Sequence, residues 1–136
     1  RMLIAGEDPL YIARRLLRFA SEDIGPTDNN ALLLANQVYE AIQKIWMPEC
    51  DVLLFQLALY LAKAPKSNLT YKIAQQTKAD VEKYWNLPVP LHLRNAPTKM
   101  MSNLGYGKGY QYAHDFKDAK VDQEHFPPEL KGRKYG

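Results

Sequence analysis

Between Val52 and Ala62 every residue but Gln56 is apolar. As a helix this stretch has no wide polar face, and a helix apolar nearly all round must be covered on most sides. It falls far short of the roughly 20 residues that span a bilayer. In a chain of 136 residues it demands either a central position or a second subunit. Leu53, Phe55, Leu57 and Tyr60 are therefore the candidate interface between like copies, and a homo-oligomer is the expected partner.

The rest of the chain supplies helices to surround it. Arg1 to Ala5 reads as the last turn of a helix closed by Gly6, and the chain is expected to be a fragment of a longer protein. Asp8-Pro9 is a helix start, with a side-chain acceptor at the cap and a residue at the first position that has no donor to leave unpaired. That helix runs to about Ser21. Leu10, Ala13, Leu16, Leu17 and Ala20 form its buried stripe, Arg14, Arg15 and Arg18 share the other side, and Glu22 pairs with Arg18. Those arginines suit a solvated face or a contact with phosphate or another domain.

Gly25-Pro26 ends the first helix, and Asp28 caps a second that extends to Ile45 or Trp46. Its stripe of Ala31, Leu34, Ala35, Val38, Ile42 and Ile45 should face the first helix. Met47-Pro48 turns the chain into the apolar helix, with Glu49 and Asp51 in its first turn, where carboxylates suit the helix dipole. Ser67 caps a fourth helix to about Trp85, resting on the core along Leu69, Ile73, Val81 and Tyr84 or Trp85.

Pro88 and Pro90 then force extended chain. Thr98 to Leu104 can form a short fifth helix, and Gly105 stands where a left-handed C-terminal residue is needed. Gly105, Gly107 and Gly109 alternate with Tyr106, Lys108 and Tyr110, and Tyr112 and His114 continue the two-residue step. Beyond Asp115 the chain is polar, with Phe116, Val121 and Phe126 as isolated anchors, one short turn at Pro127 to Leu130, and a basic end. The expected fold is all-α: a compact domain of four main helices plus a short fifth over residues 1–104, and an irregular Gly/Tyr-rich tail over 105–136 packed on it.

Little in this pattern is catalytic. A phosphate-cradling loop joins a strand to a helix and ends in Gly-Lys-Ser/Thr; the glycine run follows a short helix, so its glycines serve positive φ or close approach. His92, His114 and His125 lack the close companions of a zinc site. Cys50 is the one cysteine, which excludes an internal disulfide and suits a buried neutral thiol in a reducing compartment. No nucleophile elbow surrounds Ser21, Ser67, Ser102 or Cys50. The net charge of +3 is too mild to predict nucleic-acid binding by itself. Arg94, Lys99, Lys108, Tyr110 and Tyr112 do interleave cations with rings, as single-strand binders do. Asp115, Asp118, Asp122 and Glu124 follow closely and oppose that reading.

Pro88-Val89-Pro90-Leu91-His92-Leu93-Arg94-Asn95-Ala96-Pro97-Thr98-Lys99, Leu104-Gly105-Tyr106-Gly107-Lys108-Gly109-Tyr110 and Tyr112-Ala113-His114-Asp115 closely resemble the C-terminal region of the RarA/MgsA family. Gly6-Glu7-Asp8-Pro9, Ala20-Ser21-Glu22-Asp23-Ile24-Gly25, Met47-Pro48-Glu49 and Ala64-Pro65-Lys66-Ser67-Asn68 look like the same family in the same order. These are AAA+ ATPases related to clamp loaders. The resemblance implies a fold similar to clamp-loader C-terminal domains, a role in joining subunits as a tetramer, and a cytoplasmic parent acting on DNA in replication-fork maintenance, recombination and repair. It implies ATP and magnesium sites upstream, with no catalytic, cofactor-binding or metal residue in this stretch. The expected partners are like copies, the upstream ATPase and lid domains, DNA and a single-strand-binding protein. The alternative is a DNA-contacting module that uses residues 94–112.

Overall fold

The computed structural model describes residues 1–136 and is all-helical, with no strands. Its helices are α1 (Pro9–Phe19), α2 (Asn29–Ile45), α3 (Asp51–Lys63), α4 (Leu69–Tyr84) and the short α5 (Lys99–Asn103), joined by single-turn segments. The chain forms two compact units, residues 1–77 with Gly136, and residues 78–135. The 104/105 division expected from the sequence falls within the second unit.

The first unit is built around α1, α2 and α3. Asp8 caps α1 by accepting from the Leu10 amide at 2.9 Å, and Asp28 caps α2 by accepting from the Asn30 amide at 3.0 Å. Past Phe19, α1 widens into a π-type turn, Ala20–Ile24, and the Arg18–Glu22 pair closes at 2.7 Å on its exposed side. Burial of Ala13, Ala20, Ile24, Ala31, Ala35, Val38, Ile42, Cys50, Leu54, Leu57 and Leu61 makes one continuous core. Small alanines on α1 and α2 let their backbones approach closely, which is why this pair packs most intimately. Ile45, expected in the stripe of α2, is exposed at the helix end. Cys50 is a free buried thiol whose burial pushes its pKa up, so it stays protonated at neutral pH.

The link from α3 to α4 is tied back to the π-type turn. The Ser67 amide donates to the Asp23 carbonyl at 2.7 Å, and the Ser67 hydroxyl caps α4 by accepting from the Leu69 amide at 3.2 Å. Gly25 lies under this link at φ +53°, where an added Cβ would stand 2.8 Å from the Thr70 hydroxyl oxygen. Gly25→Ala therefore combines left-handed strain with displacement of the Thr70 side chain. A loss of about 1–3 kcal/mol is expected, measured as a lower urea midpoint at unchanged slope.

The second unit is held differently. From Lys78 to Tyr135 no hydrophobic side chain is fully buried; the one buried residue is Asp80 of α4, 8% exposed. This corrects the expected apolar seam on α4 in part: Leu69, Val81 and Trp85 are exposed, whereas Ile73 and Tyr84 are half-buried. Trp85 is 80% exposed and has left-handed backbone, which ends the helix. In place of a seam, Arg133 grips the Asp80 carboxylate with two bonds, Nε to Oδ2 at 2.8 Å and Nη2 to Oδ1 at 3.0 Å, and the Tyr135 hydroxyl donates to Oδ2 at 2.7 Å. The Phe126 ring meets Tyr135 edge-on at 5.7 Å. A chain with little grease here folds by satisfying one sequestered charge.

Candidate functional site

Three surfaces carry the side chains that could act on something else. The first belongs to α3. Leu54, Leu57 and Leu61 point into the core, and Val52, Phe55 and Leu59 occupy the opposite face at helical spacing. Phe55 is 57% exposed and Leu57 is 0% exposed. Leu57 is thus removed from the expected interface: its own chain encloses it and leaves no surface for a partner. Leu53 and Tyr60 are half-buried, and the Tyr60 hydroxyl is engaged internally, donating at 2.7 Å to Oδ2 of Asp28, the cap of α2. Donation to a carboxylate raises the Tyr60 pKa. Glu49, expected in the first turn of α3, lies in the preceding turn instead.

The second surface adjoins it. Phe55 also lines a groove of about 210 Å³ with Met2, Ile4, Ile12, Leu16 and Ala58, in which apolar atoms predominate. The N-terminal turn that forms one wall is locked by three backbone bonds, Ala5 amide to Arg1 carbonyl at 2.9 Å, Gly6 amide to Leu3 carbonyl at 3.1 Å and Glu7 amide to Met2 carbonyl at 3.1 Å. Sequence reasoning missed this groove. The residues of Met2 to Ile4 carry no periodicity that announces a wall, and only tertiary packing sets them beside α1 and α3.

The third is a cleft of about 350 Å³ in the second unit, lined by His92, Arg94, Asn95, Gly107, Tyr110 and Tyr112 among others. Thr98 caps α5 through the Met101 amide at 3.2 Å, and Gly105 closes it at φ +88°. This turns the chain back so that the Gly107 amide donates to the Leu91 carbonyl at 2.9 Å. Gly107 has φ +70°, and a Cβ there would stand 3.4 Å from the Arg94 carbonyl, so the glycine permits both the turn and the close approach. The Arg94 guanidinium lies over Tyr106 with its carbon 5.4 Å from the ring centroid. Its Nε donates to the Val89 carbonyl at 2.6 Å and its Nη1 to the Tyr106 hydroxyl at 3.3 Å. Arg94, expected to be free for DNA or another domain, is first of all a strut of its own unit. Tyr110 and Tyr112 are over half exposed, and Lys99 and Lys108 are exposed as well. Of the five residues singled out in this segment, the fold brings Arg94, Tyr110 and Tyr112 together; Lys99 and Lys108 do not line the cleft.

No three His, Cys, Asp or Glu side chains converge where they could hold a metal ion, and no helix is long and apolar enough to cross a membrane. Fold and surfaces together define an all-helical domain that presents its chemistry on open faces and shallow clefts. The chain belongs to the family described as the MgsA AAA+ ATPase C terminal, whose model matches residues 1–135. It is 50% identical over 136 residues to the ATPase WRNIP1 of Dictyostelium discoideum, covering 99% of this chain and 16% of that protein. It is 44% identical to the replication-associated recombination protein A of Coxiella burnetii, covering 99% of this chain and 31% of that protein, and 43% identical to the protein of that name in Escherichia coli K12, covering 99% and 30%. The chain thus spans less than a third of the length of these relatives.

Proposed function

We propose that this domain assembles the subunits of an AAA+ ATPase that works on DNA in replication-associated recombination, as a cytoplasmic homo-oligomer of tetrameric order. The relatives' names support the setting, and the family supports an ATPase whose nucleotide site lies in a part of the parent other than this stretch. The observation that carries the assembly role is the exposed stripe of Val52, Phe55 and Leu59, opposite the buried face of α3 and continuous through Phe55 with the apolar groove. Contiguous apolar surface of this kind marks an interaction site. Like copies are the economical cover, since a domain that joins identical subunits meets its own surface in every neighbour. Sedimentation equilibrium of the 136-residue chain at micromolar concentration tests this. Self-association that is insensitive to salt is expected; a strictly monomeric species overturns it.

A second reading has its own support. Residues 1–77 carry eight Lys or Arg and eight Asp or Glu, whereas residues 78–135 carry ten against seven. The whole positive excess of the chain is therefore in the unit that also exposes Tyr110 and Tyr112. That combination favours contact with a polyanion bearing aromatic groups, and DNA is such a polyanion and suits the replication and recombination in the relatives' names. Binding that weakens steeply with added salt is the expected signature.

A further inference from the structure

The geometry points to the His92–Arg94–Asn95–Tyr110–Tyr112 cleft as a binding site for the bases of single-stranded nucleic acid, taking one or two unpaired nucleotides by ring stacking and not duplex by charge alone. The inference rests on the nucleic-acid reading above and adds where the contact lies and what it grips.

Four features of the cleft carry it. Tyr110 and Tyr112 are 52% and 53% exposed, so two large rings stand in water at the cleft. Exposed rings beside cations are what a sequence-tolerant stacking platform needs, because every base has a π-face. Tyr112 is braced by the His114 ring, with centroids 5.1 Å apart and planes tilted by 51°, and is still more than half exposed. The cation is pre-positioned: two of the Arg94 nitrogens are committed to Val89 and Tyr106, so the guanidinium is ordered before any ligand arrives.

The polar complement fits a base edge. His92 Nε2 lies 2.8 Å from the Glu124 carbonyl, and because a carbonyl can only accept, Nε2 is the donor and that ring edge is fixed in the cleft wall. The exposed Asn95 amide offers both a donor and an acceptor at the same cleft. Gly107 contributes backbone without a side chain, and its hydrogen bond to Leu91 fixes that part of the wall. Of the acidic residues that follow the segment, Glu124 is partly occupied, since its carboxylate accepts from the His125 and Phe126 amides at 3.1 Å and 3.0 Å. A purely anionic ligand would use Arg94 and leave both tyrosines idle. A planar heterocycle on a phosphate backbone uses all of them.

The experiment is fluorescence anisotropy with a labelled oligothymidylate, a hairpin duplex and an oligoglutamate peptide against the 136-residue chain at low salt. The single strand is expected to bind more tightly than either competitor. Tyr112→Ala should weaken it about tenfold, and Tyr110→Ala with Tyr112→Ala further, by the ordinary worth of base stacking. Tyr110→Phe and Tyr112→Phe should retain it. Both tyrosines are exposed, so circular dichroism and sedimentation of each variant should match the parent chain. Strand binding that survives loss of both rings overturns this cleft while leaving the nucleic-acid reading intact. Absence of binding to both strand and duplex overturns both. Equal or tighter binding of the duplex or the acidic peptide overturns the stacking assignment and makes Arg94 a general anion contact.

Discussion

Asp80→Ala is expected to release the last ten residues of the second unit from α4 while leaving the first unit folded. The carboxylate receives three side-chain hydrogen bonds, two from Arg133 and one from Tyr135, and it is the one buried residue between Lys78 and Tyr135. With no apolar core beneath it, nothing else of comparable strength holds the strap that runs from Phe126 to Tyr135. Hydrogen exchange should show amide protection lost across residues 126–135 and retained over α1 to α3. Asp80→Asn should be intermediate, since a neutral amide oxygen still accepts from Arg133. An unchanged exchange pattern would show that the strap is held by something other than this charge.

The same contact dictates a pH profile. Hydrogen bonding from Tyr135, with that from Arg133 and its charge, holds the Asp80 pKa below the usual carboxylate range, and donation to Asp80 raises the pKa of Tyr135 above that of a free tyrosine. A depressed carboxylate pKa contributes stability that is present above the unfolded value of about 3.9 and lost as pH falls through the folded one. A raised tyrosine pKa contributes stability that is present below about 10 and lost as pH climbs through its folded value. The strap should therefore stay closed across the neutral range and open at both extremes. In Asp80→Asn the acid limb should vanish and the alkaline limb should shrink, since the carboxylate that raises the Tyr135 pKa is gone.

Two neighbours on α3 should answer different questions. Leu57 is fully buried, so Leu57→Ala removes packed methyl groups from the core and should cost about 2–5 kcal/mol, visible in the denaturation midpoint. Phe55 is more than half exposed, so Phe55→Asp should shift stability by no more than about 0.5 kcal/mol in the isolated subunit. In sedimentation, however, Phe55→Asp should abolish the self-association proposed above, since a carboxylate cannot be desolvated against an apolar partner without a large penalty. If Phe55→Asp left assembly untouched, the α3 stripe would not be the interface. Leu57 then would still mark the core.

Reading along the chain located α1, α2, α4 and α5 because their starts carry side chains that act within a few residues, whereas α3 has no side-chain cap and was placed by its apolar run. Asp8, Asp28, Ser67 and Thr98 each satisfy an amide two or three positions on, so their effect needs no tertiary context. The stripes of α1 and α2 were legible for the same reason, a face being a local property of spacing. For α3 the periodicity ran out: an apolar residue at nearly every position gives no phase. Hence Leu57 and Phe55 looked alike, and only packing against α1 and α2 distinguished the buried face from the open one.

Asp80 and Arg133 are 53 positions apart, and nothing in either neighbourhood announces the other. Asp80 reads as one more solvated charge among Lys78, Glu82 and Lys83 until the chain folds. Likewise Tyr110 and Tyr112 acquire a common cleft with His92 only because Gly107 brings its backbone to Leu91. Helix number and order, and the caps of α1, α2, α4 and α5, were thus set by interactions of short range, which a linear sequence displays. Which face is buried, which charge is sequestered and which rings meet were decided by long-range closure, whose energetics depend on desolvation by residues far away in the chain.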